Sequence, residues 1–455
     1  MKIRNLLLTA SILFVVGLPV LAANGMNMIG YGAESVAMGG ADLALTDNPC
    51  SMNINPAGIA RTDTALFEFG LSPMNPSLTH TDAMGNNSAD QLQRYPVPFL
   101  GYTHPLRRVT LGIGLFVQGG MGAEYRNLST PFAVMAGSGQ LPAGFFAGDV
   151  IPAADDTQTR IGHAKLTPTV AWHVRPKLTL GVTLNMSQVR ADMKLLPETS
   201  VMADLDQSGV VGDSVGDAFF GIHMRDTSAS GFGLKFGAQY RSGPFSLAGA
   251  YSTKTDLDLE NGLLTLNMTS VGLGKVNYDA TMTNFAWPQQ VGVGMAYEVS
   301  PRFVLAGDVD WINWADAIDT VTIELSNPDV PVAPASRRIA FPMNWEDQWV
   351  LALGAAVTPA PDWVVRVGYN HGDTPVPASS LKPLFPAIAE DHVTAGFDVT
   401  KKNWTIGLAL EYVLESELVN NSNGPTNLFG PGSQETLSQF AAHFQVRRML
   451  RSGKS

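Results

Sequence analysis

His80, His104, His163, His173, His223, His371, His392 and His443 are the eight histidines of the chain. No two lie three or four residues apart, so neither a His-Glu-x-x-His metal site nor a His-based relay is spelled out locally. Cys50 is the sole cysteine, which excludes an intramolecular disulfide and a thiolate metal site and reads as a small buried residue. Asp308 and Asp310 flank Val309 and share one face of a strand, where they either line a polar path or serve structure. Gly112-x-Gly114 and Gly231-x-Gly233 imitate a dinucleotide fingerprint, but each lies inside a strand pattern with no helix after it, so both read as lumen-facing glycines. The expectation is therefore no catalytic residue, no metal and no cofactor.

If chemistry is not the task, composition says what kind of scaffold remains. Only 15% of the 455 residues are charged and 45% are hydrophobic, against roughly 25% charged in a soluble domain. The 45 glycines and 29 prolines favour short strands and turns over long helices. A net charge of -11 removes nucleic acid from the partners, because phosphate binding needs clustered cations.

Lys2 and Arg4 precede an almost wholly apolar run over residues 6–18, and Val20-Leu21-Ala22 supplies small residues before Ala23. This is the pattern of an export signal over residues 1–22, with the mature chain starting at Ala23 or Asn24. No later stretch is apolar for 18 residues, so an exported β protein is expected rather than a helical membrane protein.

Period-two alternation supports a membrane barrel. Val109, Leu111, Ile113, Leu115 and Val117 share a face opposite Thr110, Gly112 and Gly114, and the same register recurs at Leu178, Phe232, Val291, Trp363 and Trp404. The second face is Gly, Ala and Thr rather than Lys and Glu, which suits a crowded, weakly charged lumen. Strands are expected near 62–72, 95–105, 108–118, 158–174, 177–190, 228–241, 244–257, 281–299, 302–314, 344–358, 362–371, 391–400, 403–414 and 437–450, fourteen in all. Tight turns such as Pro105-Leu106-Arg107-Arg108 and Thr400-Lys401-Lys402-Asn403 alternate with long links, as periplasmic turns alternate with extracellular loops. Tyr102, Trp172, Tyr240, Tyr251, Tyr297, Trp311, Trp349, Trp363, Trp404 and Tyr412 fall near strand ends, where interfacial girdles belong.

Residues 23–61 do not alternate and are rich in Gly and Asn. They are either a periplasmic tail or a plug, and a fourteen-stranded lumen is too wide for side chains alone to fill. The chain therefore divides into a signal (1–22), an N-terminal hatch (23–61), a transmembrane barrel (62–450) and a short tail (451–455).

Gly39-Gly40-Ala41, Asp47 and Asn55-Pro56-Ala57-Gly58, then Gly119-Gly120-Met121-Gly122-Ala123-Glu124-Tyr125, Trp349 to Gly354, Arg366-Val367-Gly368-Tyr369 and Asp373-Thr374-Pro375-Val376-Pro377 together resemble the long-chain fatty acid transporter (FadL/TodX) family of outer-membrane proteins. The resemblance implies a hatch motif at Asn55, Pro56 and Ala57. It also implies a kinked third strand at Gly119, Gly120, Gly122, Glu124 and Tyr125 that opens the wall sideways. The chain departs from the usual terminal aromatic by running past Phe444 to Leu450 and beyond, so either Phe444 or Leu450 substitutes or the insertion signal is atypical.

The link after the third strand carries Leu128, Phe132, Phe145 and Phe146, large apolar groups for an extracellular loop and candidates for ligand capture. The expectation is passive uptake of long-chain fatty acids or other hydrophobic small molecules across the outer membrane of a Gram-negative bacterium. Its alternative is a general polar-solute porin or a barrel without transport. Outer-membrane lipid and the barrel assembly machinery are the expected partners, and the chain is expected to be a monomer.

Overall fold

The computed structural model describes residues 24–450 apart from 92–93, 131–132, 134–144, 148–150, 205–216 and 424–426, and gives only the backbone of 145–147, 202–204 and 217–219. The expected signal and the tail at 451–455 lie outside the described residues. Fourteen antiparallel strands form a closed ring: β1 (Ala65–Thr81), β2 (Tyr95–Leu106), β3 (Val109–Ser129), β4 (Ala154–Leu166 and Thr169–Arg175), β5 (Leu178–Leu195), β6 (Ile222–Ser242), β7 (Phe245–Ser252 and Leu259–Met268), β8 (Gly274–Thr283 and Gln290–Ser300), β9 (Phe303–Ile312 and Thr320–Ser326), β10 (Ser336–Pro342 and Gln348–Ala360), β11 (Trp363–Gly372), β12 (Asp391–Lys401), β13 (Trp404–Asn420) and β14 (Ser433–Leu450). β14 closes the ring on β1, from Ala65 opposite Leu450 to Thr81 opposite Gln434. Closure removes the sheet edge that lipid could not satisfy. Every strand expected from alternation is present, and two-residue turns occupy the expected positions, with Arg107 and Lys402 at positive φ as such hairpins require.

One strand explains the barrel's two levels. In the lower half of β5, Leu178, Leu180, Val182, Leu184 and Met186 face out while Thr179, Thr183, Asn185 and Ser187 are buried toward the lumen. In its upper half the chemistry inverts: Gln188, Arg190, Asp192 and Lys194 face out, and Val189, Ala191, Met193 and Leu195 are buried inside. The lower half is thus solvated by lipid outside and polar groups inside. The upper half stands in water around an apolar interior. Trp363 and Trp404 are outward and exposed beside the lower turns, Trp349 and Tyr412 are outward and exposed farther up, and the Arg448 guanidinium lies 4.9 Å from the Trp404 ring.

Residues 24–61 fill the lower lumen as a hatch. A short helix α1 (Gly32–Ala37) packs Ala33, Val36 and Ala37 against Ala409 of β13. Two 3-10 turns follow, Pro49–Met52 and Pro56–Arg61, each with proline at its start and each capped by the preceding asparagine, Asn48 onto Cys50 N and Asn55 onto Ala57 N. Glycines on the inner wall mark where the hatch backbone touches it. A Cβ on Gly181 would lie 2.4 Å from Pro56 C, and one on Gly368 would lie 2.1 Å from Gly39 N.

The expectation of a weakly charged lumen is corrected. Glu68, Lys235, Asp308, Arg366, Asp398, Glu411 and Arg447 all point inward, because inward charges that meet hatch backbone or opposite charge are satisfied there, and Lys165 points inward as well. Small inner-face residues mark close hatch contact, and the ion pairs lie between those contacts.

Candidate functional site

Pairing between β2 and β3 breaks off at the kink of β3. β2 and β3 pair from Leu106–Val109 up to Phe99–Phe116 and no farther, while β2 goes on pairing with β1 from Pro98 to Tyr95. Above Phe116, β3 keeps only its β4 neighbour, with a register shift between Val117 and Gly119. Alternation also fails there: every residue from Gln118 to Tyr125 is buried, so the strand has turned inward from the wall. Glycine is required at the bend. Gly119 and Gly120 adopt φ of 154° and 156°, and a Cβ would stand 1.9 Å from Met26 O at the first and 2.1 Å from Ile161 O at the second.

The N-terminal segment occupies this gap from inside. Asn27 forms a bridge with Gly119, and Gly120 N–H donates to Met26 O at 3.1 Å. Asn27 Oδ1 accepts from Gln118 Nε2 at 3.0 Å and from Trp287 Nε1 at 2.9 Å, and the Tyr31 hydroxyl donates to Gln118 O at 3.0 Å. Above the gap β3 is tied back to its surroundings. Tyr95 donates to Gly122 O, Glu124 N–H donates to Asp90 Oδ1, and the Tyr125 hydroxyl donates to Glu435 Oε2 at 2.7 Å. Glu435 also contacts His80 Nδ1, whose Nε2 meets Asp82, so the gap is a window with a fixed upper edge.

Inside the window lies the apolar upper lumen. Met26, Met121, Ile161, Val189, Met193, Trp287 and Trp314 belong to one continuous buried cluster. Trp287, Trp314 and Trp345 form a run of edge-on rings with centroids 6.0 and 5.2 Å apart, and Gly25 lies against Trp314. The segment between β11 and β12 folds down as a cap, burying Leu381, Leu384, Ile388 and Ala389 in the same cluster.

Two buried basic side chains stand at the base of this chamber without an ordinary partner. His163, opposite Gly119, is 2% exposed, neither ring nitrogen has a protein hydrogen bond, and its ring lies 4.3 Å from Trp287. Lys165 on the same face is 7% exposed, beside Ser187 on β5, and forms no ion pair among the described residues. The Lys165 amine and one ring N–H of His163 are thus donors left for an acceptor from outside the protein.

Below the chamber the character changes to polar. Asn24, Asn27, Tyr31, Asp42, Asn53, Gln118, Lys235, Gln290, Asp310 and Asn370 line a cavity between hatch and wall. Beneath it, Glu34 of α1 takes Arg447 through both guanidinium nitrogens at 2.7 and 3.0 Å and has Arg366 at 4.0 Å. Burial opposes ionisation of Glu34, but the two guanidiniums outweigh it and hold the carboxyl down at about 2.

The residues expected from sequence fall as follows. Asn55 both caps Ala57 and donates to Leu43 O and Ala238 O, so it joins two parts of the hatch to β6. Gly119, Gly120 and Gly122 form the bend, Glu124 pairs outside it with Arg126 and Arg160, and Tyr125 holds its upper edge. Leu128 is not in a loop: β3 runs to Ser129, and Leu128 is fully buried in the apolar cluster. Phe145 and Phe146 lie on a short strand, Phe145–Ala147, paired with Val201–Asp204, and Phe132 lies outside the described residues. Alternation could not reveal Trp287, Trp314, His163 and Lys165 as one group, because they come from separate strands and breaks. Lys165 shares its strand face with Thr157, Thr159, Ile161 and His163, so the sequence carried no signal that set it apart.

The comparisons agree with this architecture. Residues 16–446 match the model of the outer membrane protein transport protein family (OMPP1/FadL/TodX). The fold is similar to the Pseudomonas putida toluene transporter TodX, at TM-score 0.72 and 22% identity over 93% of this chain and 99% of that one. It is similar also to the Ralstonia pickettii toluene transporter TbuX (0.67, 20%, 93% and 99%) and to a Pseudomonas aeruginosa FadL homologue (0.69, 14%, 94% and 100%). An uncharacterized protein from the 5′ region of the phosphoenolpyruvate carboxykinase gene of Chlorobium limicola is 36% identical over 105 residues, 22% of this chain, which spans half the length of that relative. A family match over nearly the whole chain, on a closed barrel with a hatch, makes this protein an outer-membrane member of the OMPP1/FadL/TodX transport family of Gram-negative bacteria, and not an enzyme.

Proposed function

We propose that this barrel takes up apolar and amphipathic small molecules passively and releases them sideways through the gap between β2 and β3. The observation that carries this is the order of the lumen: an apolar chamber reaches the gap, and beneath it lie a cavity lined by Asp42, Asn53 and Lys235 and a hatch packed against the wall. A molecule gaining about 0.8 kcal/mol per CH₂ in the chamber would forfeit that gain among Asp42, Asn53 and Lys235, so its favourable exit is through the wall. Gly119, Gly120 and Gly122 shape the opening, Glu124 and Tyr125 fix its edge, and Asn55-Pro56-Ala57 keeps the hatch seated below. The segment bearing Phe132, Phe145 and Phe146 is the capture surface outside, and Leu128 lines the path from it.

Relatives of the same fold are described as toluene transporters and as a monoaromatic hydrocarbon channel. In this chain Lys165 and His163 favour a ligand with one anionic head and an apolar body, a long-chain fatty acid rather than a neutral hydrocarbon. Release requires the 24–27 segment to leave the gap, and the ligand moves down its own gradient. The reading includes export by residues 1–22, insertion by the barrel assembly machinery, a surrounding annulus of outer-membrane lipid, and action as a monomer.

The test compares palmitate with a neutral alkane in tryptophan-quenching titrations of wild type and Lys165→Met. A charge-assisted contact of about 1.5–3 kcal/mol predicts roughly ten- to hundredfold weaker palmitate binding with alkane binding unchanged. Equal effects on both ligands would remove the head-group role. Lateral release is tested separately by cross-linking β2 to β3 through Val97→Cys and Gln118→Cys in a Cys50→Ser background, which should stop uptake until the bridge is reduced.

A further inference from the structure

The polar cavity beneath the chamber has an excess of oxygen acceptors, and the orientation of Asn53 and Asn370 among them is dictated by their donors. The Trp287 indole N–H can only donate, so the Asn27 atom it meets is Oδ1. Gln118 meets the same oxygen and must present Nε2, which turns Gln118 Oε1 to Asn53 and makes Asn53 donate through Nδ2 at 3.1 Å. Asn53 Oδ1 is left without a protein donor. Asn370 is fixed likewise, because Nδ2 donates to Gly39 O at 2.9 Å, and its Oδ1 also has no protein donor. Asn24 Oδ1 and Asp42 Oδ2 complete a set of four such oxygens on residues lining one cavity, each residue at most 7% exposed.

Charge points the same way. Asp42, Asp308 and Asp310 gather at this level against one ammonium, Lys235, whose Nζ is already donating to Asn53 O at 2.7 Å. Asp308 Oδ2 is engaged by the backbone N–H groups of Asp42 and Leu43, and Asp310 Oδ1 by Gln290. Gly292 and Gly294 make room for these carboxylates: a Cβ there would stand 2.3 Å from Asp310 Oδ1 and 2.2 Å from Asp308 Oδ1.

The geometry points to this cavity as a binding site for one hard, oxygen-seeking cation of the calcium or sodium class, shared between hatch and barrel. Amide and carboxylate oxygens with no sulfur or imidazole are the donor set such ions take. Among the described residues no three His, Cys, Asp or Glu side chains are placed to hold a metal ion by themselves, so the donors here are amide oxygens together with Asp42 and Asp310. Asn24, Asp42 and Asn53 belong to the hatch and Asp310 and Asn370 to the wall, so the ion would fasten one to the other.

The test uses the whole mature barrel, purified in detergent and exchanged into choline chloride. Calcium is added in one titration and sodium in another. Calorimetry gives the stoichiometry, and amide exchange over residues 40–54 gives the seating of the hatch. One ion per barrel is expected, with at least tenfold weaker binding in both Asp42→Asn and Asp310→Asn, and slower exchange in the segment as the site fills. The second variant lies in the wall and retains a reading should the first fail to seat its hatch. The ion that saturates the site assigns the class. No saturable binding of either ion would mean that the cavity holds water, and binding unchanged in both variants would place the ion on the acidic outer loops; either result overturns the site.

Discussion

Asn27 Oδ1 receives the Trp287 indole N–H at 2.9 Å, joining the segment that stops the wall gap to the aromatic run lining the upper chamber. Because the same oxygen takes Gln118 Nε2 from β3, one atom holds plug, wall and chamber in register. A ligand that displaces the Trp287 ring would therefore loosen Asn27 without touching it.

Trp287→Phe retains a ring and removes only the donor. Loss of one buried hydrogen bond of about 1 kcal/mol raises the population with the plug displaced up to about fivefold. Exchange of the Gly120 amide, which is bonded to Met26 O, should speed up by that factor. Unchanged exchange would mean that Trp287 does not hold the plug.

The two bend glycines should respond differently to alanine. At Gly119 the new Cβ meets Met26 O, so Gly119→Ala pushes the plug out and raises labelling of Met26→Cys by a thiol reagent in a Cys50→Ser background. At Gly120 it meets Ile161 O of β4, so Gly120→Ala straightens the strand and lowers uptake while leaving ligand binding in place. Matching phenotypes would show that the contacts at 1.9 and 2.1 Å do not divide the two roles.

Alternation made the barrel legible, since lipid outside leaves Leu178, Leu180, Val182 and Leu184 on one face of β5 whatever the lumen contains. Glycines and the Asn-Pro-Ala run marked the bend and the hatch, because backbone contact leaves no alternative residue there. What stayed hidden comes from pairing between distant segments. Lys165 is recognisable as unpaired only after β4, β5 and the hatch are set in place, and Leu128 passed for a loop residue because inward burial at the bend erased the alternation that would have placed it in β3. The polar cavity was equally invisible, as its oxygens come from residues 24, 42, 53, 310 and 370.

Acid should unlatch α1 over a defined range. The Glu34 carboxyl is held at about 2 in the seated hatch, against about 4.3 for a free glutamate. A depressed acid stabilises above its free value and loses that stabilisation as pH falls through the seated one. The latch is therefore fully present above about pH 4 and lost by about pH 2, with a magnitude on the order of 2–3 kcal/mol. Other carboxylates titrate in the same range, so the reading is the difference between wild type and Glu34→Gln in exchange over residues 32–37. Wild type should lose its excess protection between those pH values, whereas the variant should be less protected at neutral pH and show no such step.

Asn55 makes the hatch one body, and removing its side chain should release the hatch without harming the barrel. Its Oδ1 caps Ala57 N, and its Nδ2 reaches Leu43 O at 3.0 Å and Ala238 O at 3.2 Å, so Asn55→Ala leaves two carbonyls and one N–H short of a partner in a buried place. At about 1 kcal/mol or more for each buried group, the cost approaches 2–3 kcal/mol. None of it falls on the strand ladder, so the variant should still insert and show an unchanged heat-dependent gel shift. Its conductance in planar bilayers should flicker, because a loosened hatch opens the lower lumen intermittently, whereas deletion of residues 24–55 should give a steady open level. The parent should be nearly silent. A deletion barrel that folds and conducts no better than the parent would show that the upper cap of Leu381, Leu384 and Ile388 is the true barrier to ions, and would leave Asn55 a structural role only.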